Sequence, residues 1–114
     1  MSIVNKTKKI ILTKNIKFCK TEFSKIKGLM FTKKLTKALI FIFKKESLQH
    51  IHMLFVWYPI DVLWLDKNKK VVQLKENLKP FRIILAKKPS KYIIELSNGE
   101  IKKSRTEIND QISF

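Results

Sequence analysis

The stretch HIHMLFVWYPIDVLWLD, His50 to Asp66, places two histidines, two tryptophans and two aspartates in a nearly unbroken apolar run. Its reading decides the fold. As a membrane helix it is too short: Ile51–Leu65 has 15 residues, against roughly 20 needed to cross hydrocarbon. His52, Pro59 and Asp61 interrupt it, each at a cost in lipid. β-Branched and aromatic residues dominate, and Tyr58-Pro59 breaks the run where a bend would fall. The stretch is expected to form a hairpin of two strands. Its near-continuous apolar side chains predict burial on both faces, so the hairpin belongs at the centre of the fold.

Outward from this centre the chain is punctuated at short intervals. Ile3–Asn5, Lys9–Leu12, Ile16–Cys19, Ala38–Phe43, Val71–Lys75, Tyr92–Leu96 and Gln111–Phe114 read as short strands. Pro80 and Pro89 bracket Phe81–Ala86, which suits an edge strand. Asp66-Lys-Asn-Lys reads as a turn, with Asp favoured at its first position. Thr21 can cap a short helix running to Lys27, with Gly28 as its left-handed terminator. Ser97-Asn-Gly-Glu100 has the form of a capping box opening a second helical turn. The expectation is a mainly β, compact single domain over residues 1–114, a β-barrel or jelly-roll-like sandwich with two short helices.

Composition bounds the function. The 25 basic residues against 9 acidic ones give +16, and only Arg82 and Arg105 are arginines. Such a surface attracts polyanions. However, a chain rich in Lys, Ile and Asn and poor in Gly and Arg is also what an AT-rich genome writes into any protein. The charge is spread along the chain, with no run of five or six like charges. Nucleic-acid association is therefore the second reading, not the first. One cysteine, Cys19, can form no internal disulfide, and the N-terminus lacks an apolar leader, so a cytoplasmic setting is expected. No membrane association is expected.

Motifs for chemistry are scarce. Gly28 and Gly99 are the only glycines, which excludes a P-loop, a dinucleotide fingerprint and a nucleophile elbow. His50 and His52 are the only histidines, and no Cys or His stands at zinc-ligand spacing, so neither metal nor cofactor is expected. In the hairpin register that sets Trp57 opposite Ile60, His52 and Asp61 share a face but lie about 13 Å apart along the strands, too far for an acid–base pair. Asp61 reads as a turn-fixing carboxylate held by backbone N–H groups of the bend, or else as a ligand-binding one. Glu95 in YIIELS reads as an outward-facing partner for lysine. Trp57 and Trp64 read as core, with pocket lining as the alternative. The ligand-binding candidates are His52, Asp61, Trp57 and Trp64, and no residue is assigned to catalysis.

KIKGLMF (Lys25–Phe31), IHMLFVWYPIDVLWLDKNKKVV (Ile51–Val72), LKPFRI (Leu78–Ile83) and KYIIELSNGEI (Lys91–Ile101) follow one another in an order and spacing that resemble the family called domain of unknown function 192, or uncharacterised protein family 0127. The chain is similar to its archaeal-type members over nearly its whole length. The resemblance implies a small β-barrel or sandwich and no reaction. Asn109-Asp110 stands where relatives tend to have Gly-Asp, and Arg105 where a glycine is common. The function expected is a non-catalytic module binding a small ligand or protein partner in a groove beside the central hairpin. The alternatives are a nucleic-acid-associated protein and an enzyme of unrecognised type using His52 or Asp61.

Overall fold

The computed structural model describes residues 1–20, 37–49 and 58–114, and the backbone of residues 51–52. Its strands are β1 (Ile3–Asn5), β2 (Ile10–Thr13), β3 (Ile16–Cys19), β4 (Ala38–Ser47), β5 (Ile51–His52), β6 (Ile60–Leu65), β7 (Val71–Leu78), β8 (Ile83–Ile84), β9 (Ser90–Ser97) and β10 (Ile112–Ser113). One helix, α1 (Glu100–Ser104), is described. The helix expected at Thr21–Lys27 and Trp57 both lie outside the described residues.

The largest sheet has five strands in the order β3-β4-β9-β6-β7. The β3–β4 pair is parallel and the others are antiparallel. Strand β6 is central, and all six of its residues are buried, as its unbroken apolar pattern predicts. Its alternation sorts two cores. Leu63 and Leu65 face one way and meet Ile3, Leu12, Ile101 and Ile112 from the three-stranded sheet β10-β1-β2 and α1. Ile60, Val62 and Trp64 face the other way, among Cys19, Leu39, Phe41, Ile93, Leu78 and Ala86. The arrangement is a layered β domain of open sheets. Among the described residues no pairing joins β3 to β7, so the expected barrel is not closed.

The expected hairpin is corrected. Strand β6 spends one edge on β7 and the other on β9, and a strand has only two edges. Strand β5 pairs instead with β8 in a separate two-stranded sheet, His52 opposite Ile83. The register that would set Trp57 opposite Ile60, and with it His52 and Asp61 on one hairpin face, therefore does not occur. Among the described residues β8 pairs with β5 alone, in keeping with an edge strand between two prolines.

Two connections keep their expected chemistry. In the β6–β7 turn, Asp66 Oδ1 accepts from the N–H groups of Asn68 at 2.8 Å and Lys70 at 3.0 Å, an Asp folding its own turn. Arg105 and Asn109 both take left-handed backbone, with φ of 55° and 75°. Those are the two places where the family resemblance implies a glycine. No described helix is long and apolar enough to cross a membrane.

Candidate functional site

Asp61 is fully buried on the face of β6 that meets α1. Its Oδ1 accepts from Asn77 N at 2.9 Å, and its Oδ2 from Gly99 N at 3.0 Å and Ile101 N at 2.9 Å. Backbone N–H groups do hold the carboxylate, but none belongs to the Tyr58-Pro59 bend. Asn77 is free to donate because β7 carries an extra residue there: Ile60 pairs with Leu78 and Val62 with Lys75, and Asn77 has φ 52°. A bulge of this kind turns one N–H out of the ladder. Gly99 and Ile101 belong to the start of α1, where N–H groups have no partners within the helix.

The capping box is corrected in the same place. Gly99 (φ 100°) is the cap residue of α1 and no local side chain caps it. Ser97 is the last residue of β9. Asp61, far off in sequence, supplies the acceptor that the box would have supplied.

Glu95 is corrected too. It is 7% exposed, with Leu39 opposite on one side and Val62 on the other. Burial pushes its carboxyl up to about 8, and among the described residues no charge or hydrogen bond offsets that cost. The signal was present in the sequence: Ile93, two residues before it on the same strand face, is apolar, so YIIELS is buried on both faces rather than one.

Glu95 shares its face with Trp64, Val62, Leu39, Phe41 and Cys19. The Trp64 ring is fully buried and its Nε1–H donates to Gln49 O at 2.8 Å. Burial pushes the Cys19 thiol up; Lys17 acts against that rise and Glu95 adds to it, which places the thiol within reach of both charges. Of the sequence candidates, then, Trp64 lies beside Glu95, while Asp61 points to the opposite face of β6. For His52 the structure describes only the backbone. Among the described residues no three His, Cys, Asp or Glu side chains cluster as metal ligands would.

A single ionisable group in an apolar wall can do two things: stay protonated and donate a hydrogen bond, or ionise when a partner offsets the cost. Both suit recognition. A perturbed carboxyl of this kind marks a candidate site.

Comparison with known proteins adds family but not chemistry. A protein of unknown function from Novosphingobium aromaticivorans superposes with a TM-score of 0.80 at 19% identity, over 87% of this chain and 74% of that one. A second solved structure, from Sinorhizobium meliloti, whose name proposes a transcription regulator, gives 0.87 at 18% identity over 98% and 89%. At those identities the likeness is one of fold. An archaeal UPF0127 protein from Thermococcus sibiricus is 39% identical over 98% of this chain and 73% of its own length. The family model DUF192, described as uncharacterized ACR, matches residues 3–114. With a matching family model over nearly the whole chain and a relative of 39% identity matched over 73% of its length, this chain belongs to the DUF192 (UPF0127) family.

Proposed function

We propose that the protein is a non-catalytic binding module whose ligand seat is the face of the five-stranded sheet around Glu95. The observation that carries this reading is the carboxyl itself: 7% exposed, among apolar side chains, with no hydrogen bond to offset its burial among the described residues. Such a group costs stability unless something meets it. A ligand that reaches Glu95 within this core, beside the buried Trp64, Val62 and Leu39, and hydrogen-bonds it would supply that compensation. Asp61, on the other face, would serve as the frame. The test is a thermal-unfolding screen of small molecules against the parent and Glu95→Leu. Compounds acting at this seat raise the parent's Tm and leave the variant's unchanged. If every stabilising compound acts equally on both, the seat is elsewhere.

A second reading, association with nucleic acid, is favoured by the charge of +16 and by the name of the Sinorhizobium structure. It would rest on surface lysines rather than on the Glu95 face.

A further inference from the structure

Strand β8 and the residues after it are apolar on both sides. Ile84 and Ala86 turn inward, onto the core that holds Trp64 and Leu39. Ile83 and Leu85 alternate with them and so point outward, where they are 68% and 65% exposed. Phe81 comes just before, at 55%. These are three of the seven large apolar side chains exposed among the described residues, and they fall within one stretch of five. An edge strand ordinarily carries charge on its outer side, because an apolar edge invites aggregation. Clustered apolar exposure marks an interaction surface. Phe81 adds strain, since its φ of 62° is a left-handed backbone that a bulky residue rarely adopts. The turn spends that strain on a ring that joins neither core cluster.

We propose that this ridge seats the protein on an anionic lipid surface, with Phe81, Ile83 and Leu85 entering the interface and the basic residues beside them meeting the headgroups. The surface lies on the outer side of the β5–β8 ribbon and is independent of the reading of Glu95. The expectation of no membrane association rests on length, which excludes a span and not a surface contact.

The charge around the ridge chooses the occupant. Lys79, Arg82, Lys87 and Lys88 are exposed, and no Asp or Glu occurs from residue 77 to residue 94. Among the described residues no ion pair neutralises any of the four. Apolar side chains flanked by Lys and Arg suit a headgroup layer: the cations gain from its negative potential and the apolar groups from the acyl boundary. A second copy of this chain would bring these cations, and a net charge of +16, against their like. A partner strand added here would have to displace Gln73, whose Nε2–H donates to Leu85 O at 3.3 Å and whose Oε1 accepts from Lys87 N–H at 2.9 Å. The same two bonds pin this segment to β7, so the ridge stands on a fixed support. Nucleic acid would use the cations, but Ile83 and Leu85 offer a base no ring to stack on.

The test is co-sedimentation with vesicles of phosphatidylcholine alone, and of phosphatidylcholine with about 30% phosphatidylglycerol, at about 0.1 M salt. A coat of lysines would also adsorb to the second kind. The deciding protein is therefore the double variant Ile83→Thr, Leu85→Thr, which keeps every charge; both positions are exposed, and its Tm checks its fold. The parent is expected to bind the anionic vesicles, and the variant to bind them about tenfold more weakly. Replacing Lys87 and Lys88 by Gln should weaken binding more than replacing Lys102 and Lys103 on α1, an equal change of charge elsewhere.

A second measurement needs no loss of binding. Ile83→Cys and Ile11→Cys, the latter at an exposed position in the other sheet, are each labelled with an environment-sensitive fluorophore, while Cys19 is buried away from the reagent. Anionic vesicles should raise the emission at residue 83 and not at residue 11. Equal binding by the parent and the double variant, or equal emission changes at the two sites, would mean adsorption by the whole coat and overturn the proposal. So would a parent that stays in the supernatant. If the parent ignores vesicles but self-associates or binds a single-stranded oligonucleotide, and the double variant does not, the ridge belongs to that occupant and the lipid assignment is wrong.

Discussion

Two buried carboxylates of this chain have opposite energetics. Asp61 has three N–H donors and Glu95 has none among the described residues. Removing Asp61 takes the acceptor from the N–H groups of Asn77, Gly99 and Ile101, the last of them buried and the other two partly buried. Asp61→Ala should therefore cost about 3 kcal/mol or more, measured by urea denaturation; a variant as stable as the parent would mean that water takes over the donors. Removing the charge from Glu95 should do the reverse. Its folded pKa is raised, so the native state holds a proton that the unfolded state has released. Stability is then greatest below the ordinary glutamate range and declines as pH rises toward about 8, by up to roughly 1.4 kcal/mol per pH unit. Glu95→Gln should be more stable than the parent at pH 8 and nearly equal to it at pH 4. Parallel pH profiles for the two proteins would show that Glu95 is not the group responsible.

The elements show how much of the fold was legible. Strands β1 and β3 appear with the bounds expected from alternation and flanking turn residues, and β6 is buried on both faces as its composition requires. Partner choice was not legible. Tyr58-Pro59 looks like a hairpin bend, yet β6 is paired on both edges by strands later in the chain. The helix α1 teaches the same lesson, because a local box of the right form goes unused when a distant aspartate makes better bonds. Its other end carries strain. Arg105 holds φ 55° so that its N–H can return to the carbonyls of Ile101 and Lys102. A left-handed backbone costs an L-residue roughly 1–2 kcal/mol, and glycine avoids that. Arg105→Gly should raise stability by about 1 kcal/mol in thermal or denaturant unfolding, after allowance for the freer unfolded chain. A loss would mean that the arginine side chain makes a contact worth more than the strain.

For the whole molecule the question is the charge. Exposed lysines occur in the first turn (Lys6, Lys9), on β3 (Lys17), on β4 (Lys44, Lys45), in the β6–β7 turn (Lys67, Lys70), beyond β8 (Lys87, Lys88) and on α1 (Lys102, Lys103). That is a coat shared among most of the described elements, which fits composition better than a built nucleic-acid track. Phe41 and Trp64 are buried, so these rings offer no stacking platform that would persist at high salt. A labelled oligonucleotide should bind weakly and without sequence preference, and the affinity should collapse as salt rises to about 200 mM, through counterion release. Submicromolar binding that survives such salt, read by fluorescence anisotropy, would promote the nucleic-acid reading above the ligand seat.

By itself the sequence determined the class of the molecule and the local grammar of its chain. Alternation, β-branched content and Pro, Asn and Asp punctuation act over a few residues, and they settled where most strands begin, that β6 is central, and that Asp66 folds its own turn. What only the tertiary structure decided are matters of long range: that β6 lies between β7 and β9, that Asp61 reaches Asn77, Gly99 and Ile101, and that Glu95 is enclosed between Leu39 and Val62. The physical reason is that a strand's pattern specifies which face is buried but not which strand lies beside it. The surroundings of a carboxyl are set by residues on neighbouring strands, and these are brought together only when the sheet forms.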